Sequence, residues 1–318
     1  MTDDLNLPGL EDVRAAAGRL AGRVHRTPVL TCAAVDGLAG ATVFFKCENF
    51  QKTGAFKFRG ATNAVRLLAD SVEAVATHSS GNHGAALAAA ARERGVAAHI
   101  VMPENAAAVK RAAVEHYGGR VVACESTLAA RELVLERVVA ETGGVFVPPF
   151  NHPHIIAGQG TAALELLEEV EDLDAMVAPV GGGGLVSGMG IVAAGLRPGM
   201  EVFAAEPEQA DDAARSFRSG KIEPANSNTI ADGLLTSLGP LTFAAIRAHV
   251  SDVVTVSEAE IVAALRVTWE RMKIVIEPSS AVAVAAVLKD ARFKGRRVGV
   301  IVSGGNVDLD QLARLLGE

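Results

Sequence analysis

Short apolar runs alternate with longer helical stretches along almost the whole chain, and this alternation constrains the fold more than any other feature. Ala41–Lys46, Ala74–His78, Ala97–Pro103, Arg120–Ala123, Val145–Pro149, Ala175–Val180, Glu201–Glu206, Val253–Val256 and Val298–Val302 read as short strands. Leu10–Val24, Arg59–Leu68, Ala85–Arg94, Ala106–His116, Arg131–Thr142, Ile155–Val170, Val186–Leu196, Glu258–Met272 and Ala281–Leu288 read as helices, with a short helix after Asn306. Parallel strands need a crossover, usually a helix, so the pattern predicts an α/β fold with mostly parallel, open, twisted sheets flanked by helices. A chain of 318 residues can divide its core between two domains. Aromatic residues are only 4% of it, so Ala, Val and Leu must fill the core, which suits helices packed on parallel strands.

The formal net charge of −7 argues against a nucleic-acid binder, which would show a basic face. Met1–Leu5 is acidic and lacks an apolar signal core, and the longest apolar runs fit helices or strands rather than membrane spans. Cys32, Cys47 and Cys124 are scattered without metal or redox spacing, as expected in a reducing compartment. A soluble cytoplasmic protein is expected.

Four stretches carry candidate chemistry. Lys57 stands between Phe56 and Phe58 in Thr53-Gly54-Ala55-Phe56-Lys57-Phe58-Arg59-Gly60. Apolar neighbours favour an uncharged amine, the form that acts as a nucleophile, whereas Lys46 and Lys52 lie among polar neighbours. Ser79-Ser80-Gly81-Asn82-His83-Gly84 joins a strand to a helix, which makes either an anion site or a simple helix cap. Gly181-Gly182-Gly183-Gly184 joins another strand to another helix without matching a Walker loop or the dinucleotide fingerprint. Four glycines there are hard to explain as packing and read as a cradle for a phosphomonoester. The acids from Glu206 to Asp212 suit a hard cation such as Mg²⁺, Mn²⁺ or Ca²⁺, or else form a solvated acidic loop. His152-Pro153-His154 reads as a surface loop rather than a metal site.

Taken together, the stretch around Lys57, Ser-Ser-Gly-Asn-His-Gly, Gly-Gly-Gly-Gly-Leu, Ala-Asp-Gly, Glu-Pro-Ser and Ser-Gly-Gly-Asn-Val-Asp-Leu occur in an order that resembles the serine/threonine dehydratase and serine racemase family of pyridoxal-phosphate enzymes. The resemblance runs from about residue 10 to residue 316. It implies a large cofactor-binding domain (1–48 with 149–318), a small domain (49–148), and the cofactor in the cleft between them. Lys57 would hold pyridoxal 5'-phosphate as an imine and later abstract the substrate's α-proton. Phe56 would pack on the ring, Asn82 would bond its 3-oxygen, Gly181, Gly182, Gly183 and Gly184 would bind its phosphate, and Ser303 would face its nitrogen. Ser79, Asn82 and His83 would take the carboxylate of a small amino acid substrate.

The resemblance implies β-elimination from a hydroxy amino acid such as serine or threonine, giving a 2-oxo acid and ammonia. Two features point to the racemase-like branch, which hydroxyaspartate dehydratases share. Ser80 matches the residue that protonates the opposite face of Cα, and Glu206, the Ala210 carbonyl and Asp212 match its divalent-metal ligands. Arg131 matches a position that can hold a second substrate carboxylate. The family's usual homodimer is implied, with neither nucleic acid nor membrane as partner. Ala85 replaces a Gln that animal racemases use in a nucleotide site, which counts against ATP as an effector although Lys52 and Tyr117 are retained.

Overall fold

Side chains alternate between the two faces of a strand, so a sheet buried on both faces must be apolar along its whole length. The computed structural model, which describes residues 6–79, 81–106, 108–225 and 228–317, builds two such sheets. The strands are β1 (Val29–Thr31), β2 (Thr42–Cys47), β3 (Ala74–His78), β4 (Ala97–Pro103), β5 (Arg120–Cys124), β6 (Val145–Phe146), β7 (Ala175–Pro179), β8 (Glu201–Pro207), β9 (Asp252–Val256) and β10 (Arg297–Val302). The helices are α1 (Leu10–Leu20), α2 (Ala33–Ala39), α3 (Lys57–Arg66), α4 (Asn82–Arg94), α5 (Ala108–His116), α6 (Leu128–Thr142) and α7 (Pro153–Glu169). They continue with α8 (Gly184–Leu196), α9 (Asp212–Ser219), α10 (Pro240–His249), α11 (Glu258–Val267), α12 (Pro278–Lys289) and α13 (Leu309–Gly317).

The larger sheet has six strands in the order β1-β2-β10-β7-β8-β9, and the smaller has four in the order β5-β4-β3-β6. All pairings are parallel except β1 with β2 at the edge of the larger sheet. On β7, Ala175 and Val177 face the core shared with α11 and α12, while Met176 and Ala178 face the core shared with α7 and α8. The smaller sheet divides likewise, with Val75 toward α3 and α4 and Ala76 toward α6. Among the described residues no helix is long and apolar enough to cross a membrane, and the three cysteines are free.

Four elements were not anticipated from the sequence: β1, α2, α9 and α10. Lys46 also departs from its reading among polar neighbours. It is fully buried, with Nζ donating to the Thr27 carbonyl at 2.7 Å and 2.6 Å from a Glu165 oxygen. His152-Pro153-His154 is no surface loop. Pro153 opens α7, where its missing N–H costs nothing, and His152 Nδ1 accepts from the His154 N–H.

The two sheets meet at α3 and α7. A Cβ on Gly158 would lie 2.6 Å from the Gly60 Cα, so only glycine permits that approach. Beside this contact Arg59 is fully buried and grips two carboxylates in bidentate fashion. Its Nε and Nη2 reach Glu48 at 2.7 and 2.8 Å, and its Nη1 and Nη2 reach Glu165 at 2.7 and 2.8 Å. With Lys46 this makes two buried cations and two acids in one network, which fixes the helix that begins at Lys57.

Candidate active site

In open parallel sheets the carboxyl ends of the strands gather the loops that bind ligands. Here β2, β10 and β7 run parallel, so the segments that follow them, with Lys57, Ser303 and Gly181–Gly184, leave one edge. The smaller sheet adds the turn after β3 that carries Ser79 and Asn82. Bonds across the lobes join these segments. The Phe56 N–H donates to the Ser303 carbonyl at 2.9 Å, Ala55 bridges Gly304, and Asn82 bonds Glu277 and Asn306.

Lys57 is the first residue of α3. Its flanking aromatics diverge, Phe58 into the smaller lobe's core and Phe56 against the larger lobe's. Lys57 Nζ lies 5.2 Å from the Phe56 ring centroid and donates to the Pro149 carbonyl at 2.7 Å. Nothing anionic pairs with it in the described residues, and burial lowers its pKa to about 8.

At the start of α4 no side chain among the described residues caps the helix, which leaves first-turn N–H groups for an anion. Ser79 Oγ instead accepts from the Gly81 N–H at 3.3 Å. The His83 ring is buried: Nε2 sits 3.0 Å from the Val147 carbonyl, and Nδ1 has no partner among the described residues. Burial first, and then the charge of Lys57, lower His83 to about pKa 3, so the ring is neutral, Nε2 carries the proton, and Nδ1 is an acceptor. A carboxylate here would meet the main-chain N–H of His83, not its imidazole. Ser80 lies outside the described residues.

The glycine turn caps α8, with Gly183 at φ 89° in the left-handed region. Packing accounts for glycine at these positions, contrary to the sequence reading. A Cβ on Gly182 would stand 2.2 Å from the Phe150 ring, and one on Gly181 would stand 3.0 Å from the Leu234 Cα. The same closeness brings bare backbone to the helix N-terminus, so the cradle and the packing requirement coincide. Phe150 was not identifiable from the sequence, because its role is contact across the turn.

Ser303 is buried, with its Oγ 3.2 Å from the Ser280 Oγ, which accepts from the Gly304 N–H at 3.0 Å. Glu277 precedes α12 and was noted in the sequence only as part of Glu-Pro-Ser. Its carboxylate accepts from Asn82 Nδ2 at 2.8 Å, and burial raises it to about pKa 8.

Arg131 lies on the first turn of α6 and is half-buried; its Nε has no hydrogen-bond partner among the described residues. Its charge reaches His78, at the carboxyl end of β3, and Cys124, at that of β5. It is therefore not a solvated arginine on an outer helix face.

The acidic stretch after β8 is not a solvated loop either. Glu206 and Asp212 are both fully buried. The Glu206 oxygens accept the Ala213 and Ala214 N–H groups at 2.9 Å each, whereas both Asp212 oxygens are buried and, with the Leu238 backbone nearby, neither makes a hydrogen bond of good geometry among the described residues. Burial raises Glu206 to about pKa 9 and Asp212 to about 7. Among the described residues no three His, Cys, Asp or Glu side chains gather into a metal cluster, so a cation here would take two carboxylates and main-chain oxygen such as that of Ala210.

Comparison with known proteins agrees with this arrangement. Residues 20–304 match the family model described as pyridoxal-phosphate dependent enzyme. The chain is 52% identical over 310 residues to a β-hydroxyaspartate dehydratase of Paracoccus denitrificans, covering 96% of this chain and 98% of that protein. The crystal structure of serine racemase from Dictyostelium discoideum superposes with a TM-score of 0.91 at 49% identity, over 95% of this chain and 99% of that one. Maize serine racemase superposes with a TM-score of 0.94 at 45% identity, over 96% of each chain. A lysine amine of lowered pKa, a bare glycine cradle at a helix start and a matching fold over nearly the whole length lead to one conclusion: the chain belongs to the pyridoxal-phosphate-dependent enzyme family.

Proposed function

We propose that this enzyme catalyses β-elimination from a small β-hydroxy amino acid such as L-serine or L-threonine, giving a 2-oxo acid and ammonia, with serine racemisation beside it. The observation that carries this reading is Lys57: an amine without an anionic partner, brought to about pKa 8 by burial, at the junction of the two lobes. The residues present fit pyridoxal phosphate, because the glycine turn brings bare backbone to the start of α8, where no side-chain cap hydrogen bond occupies the first N–H groups. Gly181, Gly182, Gly183 and Gly184 would hold its phosphate, Asn82 its 3-oxygen, Ser303 its ring nitrogen and Phe56 its ring.

Bound there, the cofactor supplies the electron sink for the pair left on the α-carbon. Lys57 Nζ would take the substrate's α-proton, which a pKa near the working pH favours. The same ammonium can then return a proton to the departing β-hydroxyl. First-turn N–H groups of α4, with Ser79, Asn82 and His83, would hold the α-carboxylate. Ser303, a neutral hydroxyl, would leave the ring nitrogen less protonated than a carboxylate would, and that would suit prompt loss of a β-leaving group. Ser80 is proposed from the sequence to serve the opposite face of Cα.

A second reading, with 3-hydroxyaspartate as the preferred substrate, is favoured by Arg131, whose buried Nε has no hydrogen-bond partner among the described residues and whose guanidinium would meet a distal carboxylate. Holoenzyme given L-serine, L-threonine and L-threo-3-hydroxyaspartate separately, with 2-oxo acid and chirality followed, tests both. Keto acid from at least one substrate is expected. D-serine with little pyruvate would shift the assignment to racemase, and no product from any of the three would overturn it in favour of a β-replacement synthase. Arg131→Ala is expected to lower kcat/KM for hydroxyaspartate by about 10- to 100-fold, the loss of a charged hydrogen bond, while changing serine turnover little.

The reading includes a divalent cation (Mg²⁺, Mn²⁺ or Ca²⁺) at Glu206, the Ala210 carbonyl and Asp212, supported by the two orphaned Asp212 oxygens. Both carboxyls titrate above their ordinary values without metal, so the protein loses stability as pH rises from about 4 through about 9 and they ionise. A cation binds the ionised pair and offsets that cost. The rise in Tm on adding Mg²⁺ should therefore be larger at pH 8 than at pH 6, and absent in Asp212→Ala. An equal rise at both pH values, persisting in the variant, would place the metal elsewhere.

The two sheets support the division into residues 1–48 with 149–318 and residues 49–148, and we take the enzyme as a cytoplasmic homodimer. ATP activation is disfavoured, since Lys52 already pairs with Glu93 at 3.0 Å and the Tyr117 hydroxyl donates to the Lys52 carbonyl at 3.0 Å.

A further inference from the structure

Asn82 sits in a short chain of hydrogen bonds that crosses from one lobe to the other, and the chain fixes which way its amide points. Asn306, after β10, is the starting point. Its Nδ2 donates to the Thr53 carbonyl at 2.7 Å, and a carbonyl can only accept, so this end of the Asn306 amide is nitrogen. The same Nδ2 gives its other hydrogen to Asn82 at 2.9 Å, so the Asn82 atom it meets is Oδ1. Asn82 Nδ2 therefore faces the other way, toward Glu277 Oε1 at 2.8 Å. The Thr53 carbonyl, which can only accept, sets this orientation, and the Glu277 carboxyl accepts from the Asn82 Nδ2 that it leaves. One Nδ2 hydrogen is then engaged by Glu277, and the second has no acceptor among the described residues.

Glu277 is held as firmly as the amide it orients. It is 4% exposed, its N–H donates to the Gly304 carbonyl at 3.1 Å, and a Cβ on Gly304 would stand 2.7 Å from its Oε1. The charged groups that act on it are Asp232, from the 232–234 turn, and Lys110, from α5, which also contact each other. The Asn306 main-chain N–H bonds it too.

We propose that Glu277 is a positioning residue that locks the Asn82 amide, together with Asn306, so that a single N–H is presented to the cofactor's 3-oxygen. This rests on the reading that Asn82 faces that oxygen. Because Asn82 belongs to the smaller lobe and Glu277 and Asn306 to the larger, the lock forms only when the lobes are together. Reversed, the amide would turn its own oxygen on the anionic 3-oxygen and weaken cofactor binding.

The test titrates pyridoxal phosphate into apoenzyme and reads both its Kd and the absorption maximum of the bound form. Asn82→Ala and Glu277→Leu should each weaken binding roughly tenfold or more and move the band. Glu277→Gln, which keeps an acceptor, should restore both to near the parent values. The double variant Asn82→Ala/Glu277→Leu should be no worse than Asn82→Ala alone, because Glu277 acts through that amide. Glu277→Leu weakening binding equally with and without Asn82 would mean a merely structural carboxylate and would overturn the proposal. So would an unchanged Kd and band in Glu277→Leu while Asn82→Ala shifts both. If Asn82→Ala itself changes neither, the placement of Asn82 at the ring fails instead. Should Glu277→Leu not fold, Asn306→Ala enters the same cycle from the other side of the amide, with the same two outcomes.

Discussion

Lys57→Ala is expected to abolish turnover, with kcat falling by about 10⁴-fold or more, because the nucleophile and the general base disappear together. The protein should nonetheless fold. Lys57 Nζ makes one hydrogen bond, to Pro149, and its lowered pKa shows that burying the charge is unfavourable rather than stabilising. Between about pH 8 and the ordinary lysine value the unfolded chain binds more protons at this position than the native one, so stability from this group grows as pH rises through that window. Lys57→Ala removes the dependence, so thermal unfolding across pH 8 to 10 should show a flatter profile in the variant. Residual keto-acid release within tenfold of the parent would exclude Lys57 from the chemistry.

Arg59→Met should produce the largest loss of stability of any single change considered, about 3–5 kcal/mol, read from the midpoint of denaturant unfolding. The guanidinium is fully buried and satisfies Glu48 and Glu165 in bidentate geometry; without it both acids face only Lys46 and the Thr27 hydroxyl. Arg59→Lys keeps the charge but cannot fork between two carboxylates, so an intermediate loss is expected. Since Arg59 and Lys57 share the first turn of α3, the variants should also weaken cofactor binding. A midpoint unchanged by Arg59→Met would mean that the network contributes nothing net to folding.

The fold was legible wherever an apolar run was bounded by turn residues, because period and punctuation are local. The edge strand β1 spans Val29–Thr31 and is too short for alternation to reveal it. Lys46 was misread for a related reason. Its partners are the Thr27 carbonyl and Glu165, and a carboxylate over a hundred residues away leaves no mark on the local pattern. The segments of the site could be seen for what lies at strand-to-helix junctions: the lysine between phenylalanines, the Ser/Gly/Asn turn and the glycine run. Their support could not. Glu277 reaches Asn82 across 195 residues of sequence, and Phe150 fills the space over Gly182 only once the chain has folded. The acidic stretch shows the limit most clearly. Glu206 and Asp212 look like solvated loop residues in sequence, and only their burial distinguishes them.

Reduction of the holoenzyme with borohydride, followed by proteolysis and mass analysis of the pyridoxyl-labelled peptide, is the most direct single test. The label should fall on Lys57 alone, and substrate added before the reductant should release it. A label on another lysine, or a protein that takes up no cofactor while remaining folded, would contradict the assignment of Lys57 and the chemistry built on it.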